Sequence, residues 1–362
     1  MSAPAEKVSE DQYAEQPALE WLTGNGWTYQ HGTELGPETN PAERSHDSDV
    51  ALKETLERCV ARLNPDLSTD AATRVVELVL ATSAPDFVRD HFDFHRLLVG
   101  GVPIDWLDDD GAVQSGRARL VDWESTSNNE FLAVNQLTII EGGKNRRPDI
   151  LLFVNGLPLG QIELKNPANE KATAQTAVNQ VHHYTATIPR LYRYVEIVGV
   201  SDVGTALAGT PSTPKEHFAE WKSMDRAASK GKTPLEVMID GLFAPGGLLD
   251  MVRNFILFET DGAKTSNFMA KYHQVDAVNR AIEETARAMA DDGRAGVVWH
   301  TQGSGKSYSM VFYAAKLRWD PRFENPTVVC LTDTNDLDNQ LHETFKRQWQ
   351  LSPQVQQAER IE

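Results

Sequence analysis

Apolar and polar positions alternate along this chain with two different periods, and the change of period marks its organisation. Residues 11–24 repeat apolar side chains three and four apart, which predicts an amphipathic helix whose first turn is limited by Pro17. The stretch 31–48 is rich in Gly, Pro, Glu and Ser and reads as a loop. Helical spacing returns at about 51–63 and 70–82. From about residue 117 the period shortens towards two. Arg117–Trp123, Phe131–Glu141, Asp149–Val154 and Leu159–Lys165 are β-rich runs separated by turn residues. A helix at about 171–187 and a strand at 194–200 follow. This αβββαβ order predicts a mixed sheet flanked by helices. Residues 204–234 are rich in Gly, Pro, Ser, Thr and Lys and read as a long loop or linker. A second pattern starts near 270: a helix (275–290), an apolar strand Gly296–His300, a glycine-rich loop, a helix (305–318) and an apolar strand Thr327–Leu331. Together these make a βαβ unit. There is no internal repeat.

With 362 residues and 40% hydrophobic content, the chain can bury one to three cores. No apolar run approaches the roughly 18 residues needed to cross a membrane. The start, Met-Ser-Ala-Pro-Ala-Glu-Lys, is polar and acidic, which argues against a signal peptide. Two distant cysteines, Cys59 and Cys330, form no disulfide framework and fit a reducing cytoplasm. The net charge of -17 argues against passive coating of DNA. The charge is uneven, however. Residues 1–60 carry 12 acids against 4 bases, whereas residues 141–200 carry 5 acids against 7 bases, with Lys144, Arg146 and Arg147 clustered.

That basic cluster adjoins the first chemical motif. Pro148-Asp149 is followed, after 13 residues, by Glu163-Leu164-Lys165. Two carboxylates can hold Mg²⁺ through oxygen ligands and leave positions open for water and phosphate. A metal there lowers the pKa of bound water and draws charge from a phosphoryl oxygen. Lys165, two residues beyond Glu163, projects from the same strand face and can position the attacking water or offset transition-state charge. Either acid alone would pass as a solvated surface residue, but Glu163 and Lys165 interrupt an apolar strand, where charge is costly unless used. The pair therefore points to metal-dependent phosphodiester hydrolysis.

Geometry sets a condition on this reading. Asn155-Gly156 is a hairpin signal. A strict two-residue turn in an unbroken ladder pairs Asp149 with Ile162 and sends Glu163 to the opposite face. A three-residue loop, or a bulge, pairs Asp149 with Glu163. The site thus requires an odd-length loop or a bulge, with Asn155 or Gly156 left-handed. On the helix that follows, Gln180 and Tyr184 are four residues apart and share a face, where they can contact a DNA backbone or support Lys165.

A second motif follows the strand Gly296–His300. Thr301-Gln302-Gly303-Ser304-Gly305-Lys306-Ser307 opens a helix as a phosphate loop does: small residues let backbone N–H groups approach phosphate, Lys306 reaches the β- and γ-phosphates, and Ser307 ligates Mg²⁺. An ordinary glycine turn would not account for the Lys-Ser pair. The first position of the pattern, usually Gly or Ala, is His300. Gln274 lies 32 residues before Lys306, a spacing suited to reading adenine through its amide; a lone Gln is otherwise a helix-surface residue.

Taken together, these segments resemble the restriction (motor) subunits of Type I restriction-modification enzymes. The matching stretches are Ala18 to Leu22, Phe94 to Leu98, Val134-Asn135-Gln136, Arg147-Pro148-Asp149, Phe153 to Pro167, Tyr272-His273-Gln274, Trp299 to Ser307, and Leu331-Thr332-Asp333 with Asp336 to Leu341. The resemblance implies an α/β chain. A PD-(D/E)xK-type nuclease with an N-terminal helical region would span 1–235, a connecting segment 236–269, and part of a RecA-like P-loop helicase domain 270–362. It implies Asp149, Glu163 and Lys165 as the nuclease triad, Gln180, Tyr184 and, more weakly, Glu15 as accessory residues, and Gln274 with Gly303 to Ser307 as the ATP site. Asp149 and Glu163 would hold Mg²⁺, Ser307 a second Mg²⁺ with ATP, and Thr332 and Asp333 would touch the DNA backbone. The implied partners are double-stranded DNA and the methyltransferase and specificity subunits. Thr334 stands where the family usually has Arg, and Ser201-Asp202-Val203-Gly204 departs from the usual Ser-Asp-Gly.

The sequence ends about 55 residues after Lys306, before any Asp-Glu strand that could activate water for ATP hydrolysis, so it is expected to be a fragment that binds ATP weakly and does not turn it over. Two other readings stay open at this stage: a catalytically silent nucleotide-binding fragment, and a repair helicase-nuclease, which the Asn155 to Pro167 run and the His300-Thr301-Gln302 lead-in disfavour.

Overall fold

The computed structural model describes residues 14–81, 84, 86–108, 110–165, 173–202, 204–261, 264–351 and 354–357. The matched residues Asn166 and Pro167, Val203 of the departing Ser201 to Gly204 stretch, and the starts of the helices expected at 11–24 and 171–187 lie outside them. Residues up to Arg253 form one compact unit and those from Asn254 another.

The first unit opens with α1 (Gln16–Gly24) and β1 (Thr28–His31), then three helices, α2 (Lys53–Leu63), α3 (Thr69–Leu80) and α4 (Phe87–Gly100). A hairpin of β2 (Val102–Leu107) and β3 (Val113–Ala118) follows, then β4 (Phe131–Asn135), a small hairpin of β5 (Ile139–Glu141) and β6 (Lys144–Arg146), and β7 (Ile150–Val154) with β8 (Leu157–Leu164). Next come α5 (Ala174–Thr187), α6 (Pro189–Tyr192), β9 (Ile197–Ser201), β10 (Ala206–Gly209), β11 (Ala219–Glu220), α7 (Pro234–Gly241) and α8 (Pro245–Asn254). Seven strands form one sheet in the order β1-β4-β7-β8-β9-β10-β11. The β1/β4 and β8/β9 pairs are parallel and the other four antiparallel, so the sheet is mixed, as the element order predicted. Its central strands β7, β8 and β9 are buried on both faces, which is why they read as near-continuous apolar runs.

Several expectations need correction. The run Arg117–Trp123 is not one strand: β3 ends at Ala118. Beyond it the Arg119 N–H donates to Asn64 Oδ1, and the Asp122 carboxylate accepts from the N–H groups of Glu124 and Ser125, which turns the chain. Phe131–Glu141 is broken at Gln136, whose φ is 53°. The supposed linker 204–234 supplies β10 and β11, with Phe218 and Trp221 buried.

The second unit holds a hairpin of β12 (Ile256–Asp261) and β13 (Lys264–Met269), then α9 (Tyr272–Met289), α10 (Lys306–Trp319) and α11 (Asn335–Lys346). Both expected helices form, and α11 is a third that the pattern did not announce, but the two expected parallel strands do not form. Residues 296–300 and 327–331 adopt no regular structure and have no ladder partners among the described residues. A parallel strand draws its backbone hydrogen bonds from neighbours on both sides; lacking them, Val297, Trp299 and Leu331 stand 94%, 88% and 89% exposed. Among the described residues no helix is long and apolar enough to cross a membrane.

Candidate functional site

The β7–β8 hairpin decides the geometry of the acidic motif. Its turn has two residues, Asn155 (φ 51°) and Gly156 (φ 83°), both left-handed, as a tight hairpin turn requires. Val154 pairs with Leu157 and Phe153 with Pro158, but Leu152 then pairs with Gly160, which leaves Leu159 as an extra residue. This β-bulge shifts the ladder so that Ile150 meets Ile162 and the next positions, Asp149 and Glu163, come opposite each other. The bulge alone satisfies the condition set by the sequence; the three-residue loop is not used. A Cβ on Gly156 would lie 2.6 Å from the Leu52 carbonyl oxygen, so the turn is fixed against α2.

Three further elements, α1, β4 and α5, converge on the two acids. Asp149 Oδ2 accepts the Leu164 N–H at 2.8 Å, which closes the end of the hairpin. Glu163 is fully buried; Gln180 from α5 donates to its Oε1 and Gln161 to its Oε2 at 3.1 Å. Lys165 Nζ stands 3.8 Å from Glu163 Oε1 and donates to the Leu164 carbonyl. Tyr184 accepts from Gln180 at 2.7 Å. From α1, Glu15 accepts from Asn135 Nδ2 at 2.5 Å and from Gln136 Nε2 at 3.0 Å, and the same Gln136 amide reaches Asp149 Oδ1 at 3.4 Å. Asp149, Glu163, Lys165, Gln180, Tyr184 and Glu15 are therefore gathered at one place.

Three residues here lie in stretches that carry the resemblance, but the sequence reading gave them no role in the site. Gln161 shares a strand face with Glu163 and links it to Tyr192, whose hydroxyl donates to Gln161 Oε1 at 2.9 Å. Its signal is a polar residue two positions before Glu163 in an apolar strand. Asn135 and Gln136 end β4 and tie Glu15 into the cluster. Gln136 also donates its backbone N–H to the Asp149 carbonyl, a contact that requires its left-handed backbone.

Charge within the cluster is under-compensated. Burial, and then the Asp149 charge, push the Glu163 carboxyl well above the ordinary carboxylate range, against the smaller opposing effect of Lys165. Burial and the Glu163 charge push the Tyr184 hydroxyl up to about 12. Two opposed carboxylates with one ammonium nearby suit a hard cation. The acids supply only part of a coordination shell: among the described residues no group of three or more His, Cys, Asp or Glu is placed to hold a metal. The cluster opens onto a cleft of about 490 Å³ lined by Gln136, Asn145, Arg146, Arg147, Gln180, His183 and Tyr184.

The second motif lies in the other unit. Gly303 (φ 79°) and Gly305 (φ 81°) are left-handed, and Lys306 begins α10. Lys306 Nζ donates to the carbonyls of His300 and Thr301, both at 3.0 Å. Gln274 is buried; its Oε1 accepts the Lys271 N–H at 2.9 Å and its Nε2 donates to the Gly305 carbonyl at 3.1 Å. Ser304 and Ser307 are half-buried beside it. Gln274 and the loop thus meet, as their spacing suggested. Thr332 and Asp333 lie on the irregular segment before α11, and Thr334 caps that helix by accepting the Leu337 N–H.

Comparison with known proteins finds a different family for each of the two parts of the chain. The family described as Type I restriction enzyme R protein N terminus matches residues 7–217. This chain belongs to that family. A second family, the SWI2/SNF2 ATPase, matches residues 273–362. The chain is 41% identical over 340 residues to the Type I restriction enzyme HindI endonuclease subunit of Haemophilus influenzae, covering 91% of this chain and 32% of that protein. It is 32% identical to a putative Type I restriction enzyme endonuclease subunit, MjaIXP, of Methanocaldococcus jannaschii, covering 95% and 35%. The chain thus spans about a third of the length of these relatives.

Proposed function

We propose that the first unit is the magnesium-dependent DNA endonuclease domain of a Type I restriction R subunit. In this reading it has a PD-(D/E)xK-type fold and is followed by the opening of a RecA-like, ATP-driven motor. The observation that carries this is the Leu159 bulge, which turns Asp149 and Glu163 to one face beside Lys165. Asp149 and Glu163 would hold the Mg²⁺, whose oxygen preference matches them. When bound, the ion lowers the pKa of water and draws charge from a phosphoryl oxygen. Lys165 orients the attacking water or offsets charge on the phosphate. Gln180 and Gln161 hold the Glu163 rotamer. Tyr184 steadies Gln180, and Glu15 acts on Asp149 through Gln136. The match to an R-subunit family supports DNA as substrate and methyltransferase and specificity subunits as partners.

In the second unit, Gly303, Ser304, Gly305 and the start of α10 would receive nucleotide phosphates, with Lys306 exchanging its two carbonyl contacts for phosphate oxygens and Ser307 facing a bound Mg²⁺. Gln274 holds the loop and would meet adenine by giving up its contacts to Lys271 and Gly305, and Thr332 and Asp333 lie on a segment suited to the DNA backbone.

Plasmid cleavage, by the chain alone and with its partner subunits, tests the nuclease. Cutting should require Mg²⁺ or Mn²⁺, vanish with Asp149→Ala, and fall about 10²-fold or more with Lys165→Ala. Cutting in EDTA, or an active and folded Asp149→Ala protein, would contradict the proposal.

A further inference from the structure

The cleft beside the acids has a wall whose charge the catalytic cluster does not use. Lys144 and Arg146 belong to β6, Arg147 follows it, and the turn of that hairpin is Gly142-Gly143, both left-handed. In a chain of net charge -17, none of these three cations makes an ion pair among the described residues. Acids are within reach of the chain nearby: Glu141, on the paired strand β5, is taken by Arg190. The Arg147 side chain is exposed and has no hydrogen bond or ion pair among the described residues. Arg146 is held by neutral groups instead. Its Nε donates to Thr187 Oγ1 at 3.2 Å and its Nη2 lies 2.9 Å from His183 Nε2. A guanidinium only donates, so that ring nitrogen accepts, and α5 fixes the Arg146 head at the cleft without neutralising it. Both arginines and His183 line the cleft together with Gln180, which donates to Glu163 from the same helix, and Tyr184, which accepts from Gln180.

We propose that Arg146 and Arg147 form a backbone-phosphate subsite that seats a DNA strand against the neighbouring carboxylates, with His183 as the residue that positions Arg146. The inference rests on reading those carboxylates as a nuclease site. An open cleft of fixed, unpaired guanidinium charge fits a polyanion, because planar donors meet two phosphate oxygens at once. Phosphate contacts of this kind set register and carry no base specificity. They also give the acidic chain one locally attractive approach for DNA.

The test is fluorescence anisotropy of the full chain with a labelled short DNA duplex in EDTA, which removes cleavage, across a range of salt. Wild-type binding should weaken with salt. Arg146→Ala with Arg147→Ala should lose about tenfold or more in affinity at low salt and flatten the log–log salt slope by about two. Arg147→Ala alone, at an exposed side chain that the fold does not use, should flatten it by about one. Unchanged affinity and slope in both arginine variants, or no salt-dependent binding by the wild type, overturns the subsite. The two readings fail separately. Arginine variants that bind normally leave the nuclease reading intact, whereas metal-dependent cutting that persists in Asp149→Ala removes the nuclease reading while a loss of binding in Arg147→Ala keeps the subsite.

Discussion

At the scale of single residues, Glu163 is the most informative side chain. Its folded-state pKa lies above the usual 4.5 because burial and the Asp149 charge disfavour the anion. The stability linked to this group is therefore fully present below about pH 4.5 and is lost as pH rises through its raised folded value. In EDTA at neutral pH, Glu163→Gln should melt higher than the wild type, and the gap should close as pH falls towards 4.5. Added Mg²⁺ should reverse the order, since a ligand at a hundred times its Kd adds about 2.7 kcal/mol to the wild type alone. Thermal melts with EDTA and with Mg²⁺ check both halves; a variant less stable than wild type in EDTA contradicts them. Asp149, Glu163 and Lys165 were legible because charge inside an apolar strand is rare without a use. Gln161, Asn135 and Gln136 were not, because neutral amides occur anywhere and only the fold brings them to the acids.

The elements were legible where local chemistry fixes them. Asn155-Gly156 announced its turn, and the helices at 53–63 and 69–80 follow their apolar spacing. Helix α4 was missed because its inward face carries Asp90, His91 and His95. Arg193 pairs with the first, and a Glu196 oxygen stands 3.1 Å from His91 Nε2 and 3.0 Å from His95 Nδ1. Those partners lie about a hundred residues away, so the pattern looked polar. The bulge at Leu159 has no signal of its own and could be inferred only from what the acids require. Gly156→Ala tests how firmly the hairpin is held. Strain at positive φ costs about 1–3 kcal/mol, and the clash with the Leu52 carbonyl adds to it. Denaturant unfolding should show at least that loss, with cleavage reduced alongside. A variant as stable as wild type would mean that the turn is not pinned against α2.

At the scale of the whole molecule, a mixed sheet was legible from element order, but its width was not. The last two strands of the sheet, β10 and β11, are short and sit in a stretch whose composition reads as loop. The second unit shows the reverse: apolar spacing announced two strands, and the described residues supply no ladder to hold them. Hydrogen exchange separates the two cases. Amides of 150–154 and 197–201 should exchange only through global opening, whereas those of 297–300 and 327–331 should exchange near the rates of open chain. Strong protection at 297–300 would show a ladder that the second unit lacks here.

The central claim is that Asp149 and Glu163 share a divalent metal. Anomalous diffraction from crystals of the chain grown with Mn²⁺ measures this directly. The account predicts one peak between the two carboxylates, about 2.0–2.3 Å from an oxygen of each, and its absence in Asp149→Ala crystals. Well-ordered carboxylates with no peak between them in saturating Mn²⁺ would contradict it.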